Sequence, residues 1–80
     1  MAFASIEYSQ HARDQMQDRR ISRNQVERSL RDPDRLRLER NRLVAERDTA
    51  AGNYIRVVYV ERLTDHGTVA LVITAIRIKP

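Results

Sequence analysis

Residues 8–30, YSQHARDQMQDRRISRNQVERSL, carry the local signals that decide the fold. Ser9 is suited to cap a helix, because its hydroxyl can accept from a backbone N–H that the first turn leaves unpaired. Ser22 is better suited still. Gln25 stands three residues on and can answer the Ser22 N–H, which completes a capping box. Ile21 before that cap and Val26 inside the helix have the spacing of a hydrophobic staple. The stretch therefore predicts helices over 10–19 and 23–31, joined by a sharp turn at Arg20-Ile21. At about 100° per residue, Ala12 and Met16 form a narrow apolar stripe on the first helix. His11, Gln15 and Arg19 run along the edge of that stripe, one turn apart, and can present their side chains to one ligand at its rim.

Downstream, Asp32-Pro33-Asp34 stops the second helix, since proline disfavours helical geometry in the residue before it. Residues 35–47, RLRLERNRLVAER, alternate apolar and charged residues at their start, as a half-buried strand does, although most are also good helix formers. They predict two short strands turning near Arg40-Asn41, followed by a loop over 48–53. Residues 54–62, YIRVVYVER, are rich in β-branched and aromatic residues. The turn formers of 64–67, TDHG, follow, and then the nearly unbroken apolar run of 69–78 reads as a central strand. His66 is expected to be a loop residue.

With Leu63 opposite Thr68, the hairpin register places Ile55, Val57 and Tyr59 on one face with Val72, Thr74 and Ile76. Tyr54, Arg56 and Val58 share the other face with Ile73, Ala75 and Arg77, so Tyr54, Arg56 and Arg77 would gather far from the turn. Phe3, Ile6 and Tyr8 form either a short opening strand or a tether over the core. The expected architecture is α+β, in the order (β)ααββββ, with two N-terminal helices packed on one face of a small antiparallel sheet.

Eighty residues make one domain over 1–80, with no room for a second core. A chain of this size buries only about 60–65% of its unfolded surface, so a homodimer would be an unsurprising remedy. No apolar run reaches the roughly 18 residues that a membrane span needs. The first nine residues, MAFASIEYS, lack the basic and long apolar regions of a signal peptide, so a cytoplasmic protein without membrane contact is expected. There is no cysteine, hence no disulfide or thiolate metal site. No cluster of Asp, Glu and His has metal-ligand spacing either, and neither cofactor nor metal is expected. Of the fifteen basic residues fourteen are arginine, and the net charge is +4. Arginine matches phosphate bidentately, which points to an anionic partner, most readily RNA or another nucleic acid. Few aromatics argue against a platform on which bases stack.

Ser9-Gln10-His11-Ala12, Gln15-Met16, Arg19-Arg20-Ile21-Ser22, Val26, Leu30 and Pro33 resemble the S-x-H-A-x-x-R-M-x-x-R-G-I-S-x-x-x-V opening of small bacterial and phage proteins grouped as domain of unknown function 4258. Ile55-Arg56-Val57-Val58-Tyr59 and Val72-Ile73-Thr74-Ala75-Ile76-Arg77 resemble its strand motif. The resemblance implies the small ribonuclease fold shared by RelE-type toxins and barnase, and a place in toxin–antitoxin or related conflict systems, with an antitoxin or other protein partner. It points to His11 and Arg19 as catalytic residues. Two positions depart from the pattern: Gln15 replaces a usual arginine, and Arg20 a usual glycine.

Two functions follow as expectations. One is a metal-independent endoribonuclease in which the RNA 2′-OH attacks the adjacent phosphate. There His11 would move the proton, and Arg19, Arg56 or Arg77 would stabilise the charge on phosphorus-bound oxygens. Gln15 and Tyr54 would join Arg56 and Arg77 in binding substrate. The other is a non-catalytic binding module whose arginine surface takes nucleic acid or a protein.

Overall fold

A computed structural model describes residues 3–79. The elements are β1 (Ser5–Tyr8), α1 (Gln10–Arg19), α2 (Arg23–Arg31), β2 (Arg35–Glu39), β3 (Arg42–Asp48), β4 (Tyr54–Thr64) and β5 (Gly67–Ile78). Both helices begin and end where the sequence places them. The Ser9 hydroxyl accepts from the Ala12 N–H, and the reciprocal Ser22–Gln25 capping box is formed. Helix α1 stops at Arg20, which takes a left-handed conformation (φ 54°) while the next N–H, from Ile21, returns to the Met16 carbonyl. That conformation costs a residue with a Cβ about 1–2 kcal/mol. The glycine usual at this place in the resembling proteins would avoid the cost.

The five strands form one sheet in the order β1-β5-β4-β3-β2. The sheet is mixed, not antiparallel as expected, because β1 runs parallel to β5 with Ser5 opposite Val69 and Tyr8 opposite Val72. The other pairings are antiparallel. Strands β2 and β3 meet through Arg40-Asn41, both at positive φ, as the common two-residue hairpin turn requires. Gly67 (φ 122°) closes the β4–β5 hairpin beside Ala4, whose methyl would lie 3.3 Å from any added Cβ.

Leu63 stands opposite Thr68, as the turn dictates, but the register does not persist to the far end of the hairpin. Tyr59 pairs with Val72 whereas Val58 pairs with Thr74, so Ile73 is an extra residue in β5, a β-bulge. Beyond it every side chain of β5 changes face. Ala75 and Arg77 turn to the helix side, opposite Val57 and Ile55, and Thr74 and Ile76 turn away. This corrects the expected grouping of Arg77 with Tyr54 and Arg56.

The cause lies at the junction of β1 and α1. Strand β1 ends at Tyr8, so among the described residues no strand lies beside the outer edge of β5 past Val72. The Ser9 N–H donates to the Val72 carbonyl (2.9 Å) and its hydroxyl to the Ile73 carbonyl (3.1 Å). One helical turn and a half later, the Gln15 side-chain oxygen accepts from the Ala75 N–H (3.1 Å). Helix α1 thus serves the backbone groups that a strand would have paired.

Ala12, Met16, Ile21, Val26 and Leu30 bury the helices against Ala45, Ile55, Val57, Tyr59, Val72 and Ala75. A fully buried aliphatic side chain stabilises by about 1.5–3 kcal/mol, and this layer is where most of the hydrophobic term resides. Phe3 closes one end, edge-on to Tyr59 with ring centroids 6.0 Å apart. The helices pack on β3, β4 and β5. Strand β2 is exposed along its whole length, contrary to the half-buried strand expected, with Leu36 52% and Leu38 69% exposed.

Candidate functional site

Because the bulge turns Arg77 to the helix side, it meets the end of α1. Arg19, Arg77 and Lys79 line a concavity of about 250 Å³. Among the described residues none of the three is paired with a carboxylate. The Arg77 guanidinium makes one long hydrogen bond, 3.4 Å, to the Arg20 carbonyl. Arg77 also borders a second concavity of about 340 Å³ with Gln25, Thr49, Ala50, Ala51 and Asn53. Gln25, Thr49 and Ala50 continue into a third, of about 260 Å³, which Arg28, Ser29, Arg47, Asp48 and Ile55 complete. The second and third lie between α2 and the loop joining β3 to β4, and Arg77 stands between the second and the first, so the three adjoin as a groove along one end of the sheet.

That loop is held shut by its own groups. The Thr49 N–H donates to the Asn53 carbonyl (2.9 Å), and the Thr49 hydroxyl donates to the Asn53 side-chain oxygen (2.7 Å). Arg47 is anchored to the Asp32 carboxylate at 2.9 Å, and Asp48 to Arg35 at 2.7 Å. The cations without a carboxylate in the groove are therefore Arg19, Arg28, Arg77 and Lys79, among the described residues. Three of them were not singled out in the sequence or were misplaced there. Lys79 follows Arg77 by two residues, the spacing that puts side chains on one face of a strand. Arg28 carried no such signal.

The opposite face of the sheet holds a second group. Glu46 is 3% exposed, although it sits on the face that no helix covers. Three guanidiniums bury it: Arg56 Nε at 2.6 Å, Arg35 Nε at 3.0 Å and Arg37 Nη1 at 3.3 Å. Burial pushes the carboxyl up, but the hydrogen bonds from Arg56 and Arg35 and the charge of Arg37 more than offset it. The group therefore lies below the usual carboxylate range. Tyr54 joins this cluster, with the Arg35 and Arg56 guanidiniums over its ring at 5.0 and 5.9 Å. Arg37, Arg40, Arg42 and Arg56 then border a concavity of about 490 Å³ with Glu39, Val44 and Val58. Two of these four arginines are engaged, Arg37 with Glu39 and Glu46 and Arg56 with Glu46, and Arg40 and Arg42 have no carboxylate partner among the described residues.

The sequence profile of Domain of unknown function (DUF4258) matches residues 8–77. The chain belongs to that family. No curated protein and no solved structure matches it.

The residues proposed from sequence divide into three places. Arg19 and Arg77 come together in the groove. Tyr54 and Arg56 lie across the sheet, around Glu46. His11 is exposed near the start of α1 and lines none of these concavities, and its ring makes no hydrogen bond among the described residues. It is about 12 Å from Arg19 along the helix axis, at 1.5 Å per residue. Gln15 lies between them, but its oxygen is engaged by the Ala75 N–H. The departure from the family's arginine at this position thus has a structural role here, because an arginine has no acceptor to offer that N–H. His66 is an exposed turn residue, as expected. Among the described residues no three His, Asp or Glu side chains are grouped so as to hold a metal. No helix among them is long and apolar enough to cross a membrane.

Proposed function

We propose that this chain binds RNA by its phosphate backbone along the groove centred on Arg77. One observation carries the reading. The fold brings Arg19 from the end of α1 and Arg77 and Lys79 from the end of β5 to one concavity, and supplies no carboxylate to offset them among the described residues. Like charges so gathered repel, and a polyanion relieves that repulsion while releasing its own counterions. On the other face Arg35, Arg37 and Arg56 already have carboxylate partners, whereas Arg40 and Arg42 have none among the described residues. The family resemblance read in the sequence implies a fold like that of RelE-type and barnase-like ribonucleases, and on that expectation RNA is the nucleic acid to test first. That step is fold analogy. An antitoxin or other protein partner belongs to the same analogy.

A second reading, metal-independent cleavage through 2′-OH attack, is favoured by His11. Its ring is free and lies one turn before Gln15 on the edge of α1 that faces β5. In that reading His11 moves the proton and Arg19 steadies the phosphoryl oxygens.

The test is titration with RNA, in chelator, over a range of salt. Affinity should fall with salt at a log–log slope of about −0.7 for each phosphate neutralised on a single strand. Arg77→Ala should weaken binding and, by removing one phosphate contact, make the slope shallower by about 0.7. Binding that ignores salt, or none at low salt, would sink the RNA reading. The same samples report cleavage. Cyclic-phosphate ends that disappear with His11→Ala, a loss of about 10²–10⁴-fold in rate, and persist with His66→Ala would establish the second reading. Binding without any cleavage would leave the binding module alone.

A further inference from the structure

We propose that β2 is a self-association edge, and that two copies of the chain pair antiparallel through it to form a continuous ten-stranded sheet. This goes beyond RNA binding and rests on a different part of the molecule. Strand β2 ends the sheet, paired with β3 on one side and with nothing on the other among the described residues. Its two faces are chemically distinct. Leu36 and Leu38 stand opposite Ala45 and Leu43 on the helix-side face, yet they are 52% and 69% exposed because the helices pack farther in, on β3 to β5. Arg35, Arg37 and Glu39 all lie on the other face.

An exposed edge strand with apolar side chains is a site for pairing unless charge or shape blocks it. The charges of β2 do not block a second copy; they complement it. With a twofold axis through Arg37, Arg35 stands opposite the partner's Glu39 and Leu36 opposite the partner's Leu38, each pair occurring twice. The four leucines then cover one another beside the existing core. Arg37 meets the partner's Arg37, the one unfavourable pair. Each is already held by Glu39 and Glu46 of its own chain, which offsets the repulsion. A slip of one residue would set leucine against charge on both faces. A slip of two toward the turn would replace ladder residues by Arg40-Asn41, whose positive φ does not continue a strand. The self-pairing therefore has one favoured register. Five residues a side make a small interface, below the roughly 1,200 Å² of stable complexes, so the dimer is a weak one.

Sedimentation of the full chain, from roughly 10 µM to roughly 1 mM, tests this over the range expected of small transient interfaces. The wild type should move from monomer to dimer across that range. Leu38→Lys should stay monomeric with an unchanged circular dichroism spectrum, since the side chain is mostly in water. Leu63→Lys should dimerise as wild type does, because that leucine, 83% exposed, lies at the far hairpin. Amide exchange in β2 should slow as concentration rises. A wild type that is monomeric throughout overturns the proposal, as does a Leu38→Lys chain that dimerises normally. Dimerisation without added protection in β2 overturns it too, by placing the contact elsewhere.

Discussion

Glu46→Gln offers the most quantitative test of the structure. The carboxylate accepts from Arg56 at 2.6 Å and Arg35 at 3.0 Å, with Arg37 at 3.3 Å. Hydrogen bonds to charged groups contribute about 1.5–3 kcal/mol each when shielded, whereas exposed ion pairs contribute about 0–1. The Glu46 side chain is 4% exposed, but its three partners are 31%, 46% and 44% exposed, so water screens the cationic half. Desolvation of the carboxylate offsets part of what remains. The amide can accept from one guanidinium, but its NH₂ turns a donor toward another and leaves the arginines facing one another uncompensated. A loss of about 2 kcal/mol at neutral pH follows, discounted for screening. For a chain of this length that lowers Tm by about 8–16 °C. The pH dependence is the sharper readout. The folded carboxyl is depressed, so its stabilisation is complete above the unfolded value of about 4.3 and is lost as pH falls through the folded one. Urea unfolding at a series of pH values should show wild type and Glu46→Gln converging in acid. Equal stability at pH 7, or a gap that persists unchanged at pH 2–3, would refute the reasoning.

Other substitutions follow from single contacts. Gln15→Arg should destabilise by about 1–3 kcal/mol in urea, because the Ala75 N–H loses its acceptor, while Gln15→Glu, which keeps one, should lose much less. Equal midpoints for the two would show that the contact contributes nothing. Arg20→Gly should raise stability by about 0.5–1 kcal/mol, since glycine takes the left-handed conformation at φ 54° without strain. A lower midpoint would mean that the Arg20 side chain contributes more than its backbone costs.

The parts of the fold legible in sequence are those fixed by neighbours along the chain. Ser22 and Gln25 are three residues apart, and the turns at Arg40-Asn41 and at residues 64–67 are closed by their own residues. The bulge at Ile73 depends on Ser9 and Gln15, more than fifty residues away, and no local pattern announces it. It decided the fate of the site residues, joining Arg77 to Arg19 and parting it from Arg56. The parallel pairing of β1 was hidden for a similar reason: SIEY alternates, but alternation does not tell direction. Glu46, within RLVAERD, has the look of a solvated charge until the register sets arginines on either side of it. Leu36 and Leu38 misled in the opposite sense, because alternation signals a face and not whether a helix is long enough to cover it.

The most direct test of the functional account is a ¹H–¹⁵N spectrum of the labelled chain, recorded as a short single-stranded RNA is added at low salt. Shifts are expected at Arg19, at residues 49–53 and at residues 77–79, along the groove. Shifts confined to Arg37, Arg40, Arg42 and Arg56 on the opposite face, or a spectrum that does not change, would contradict it.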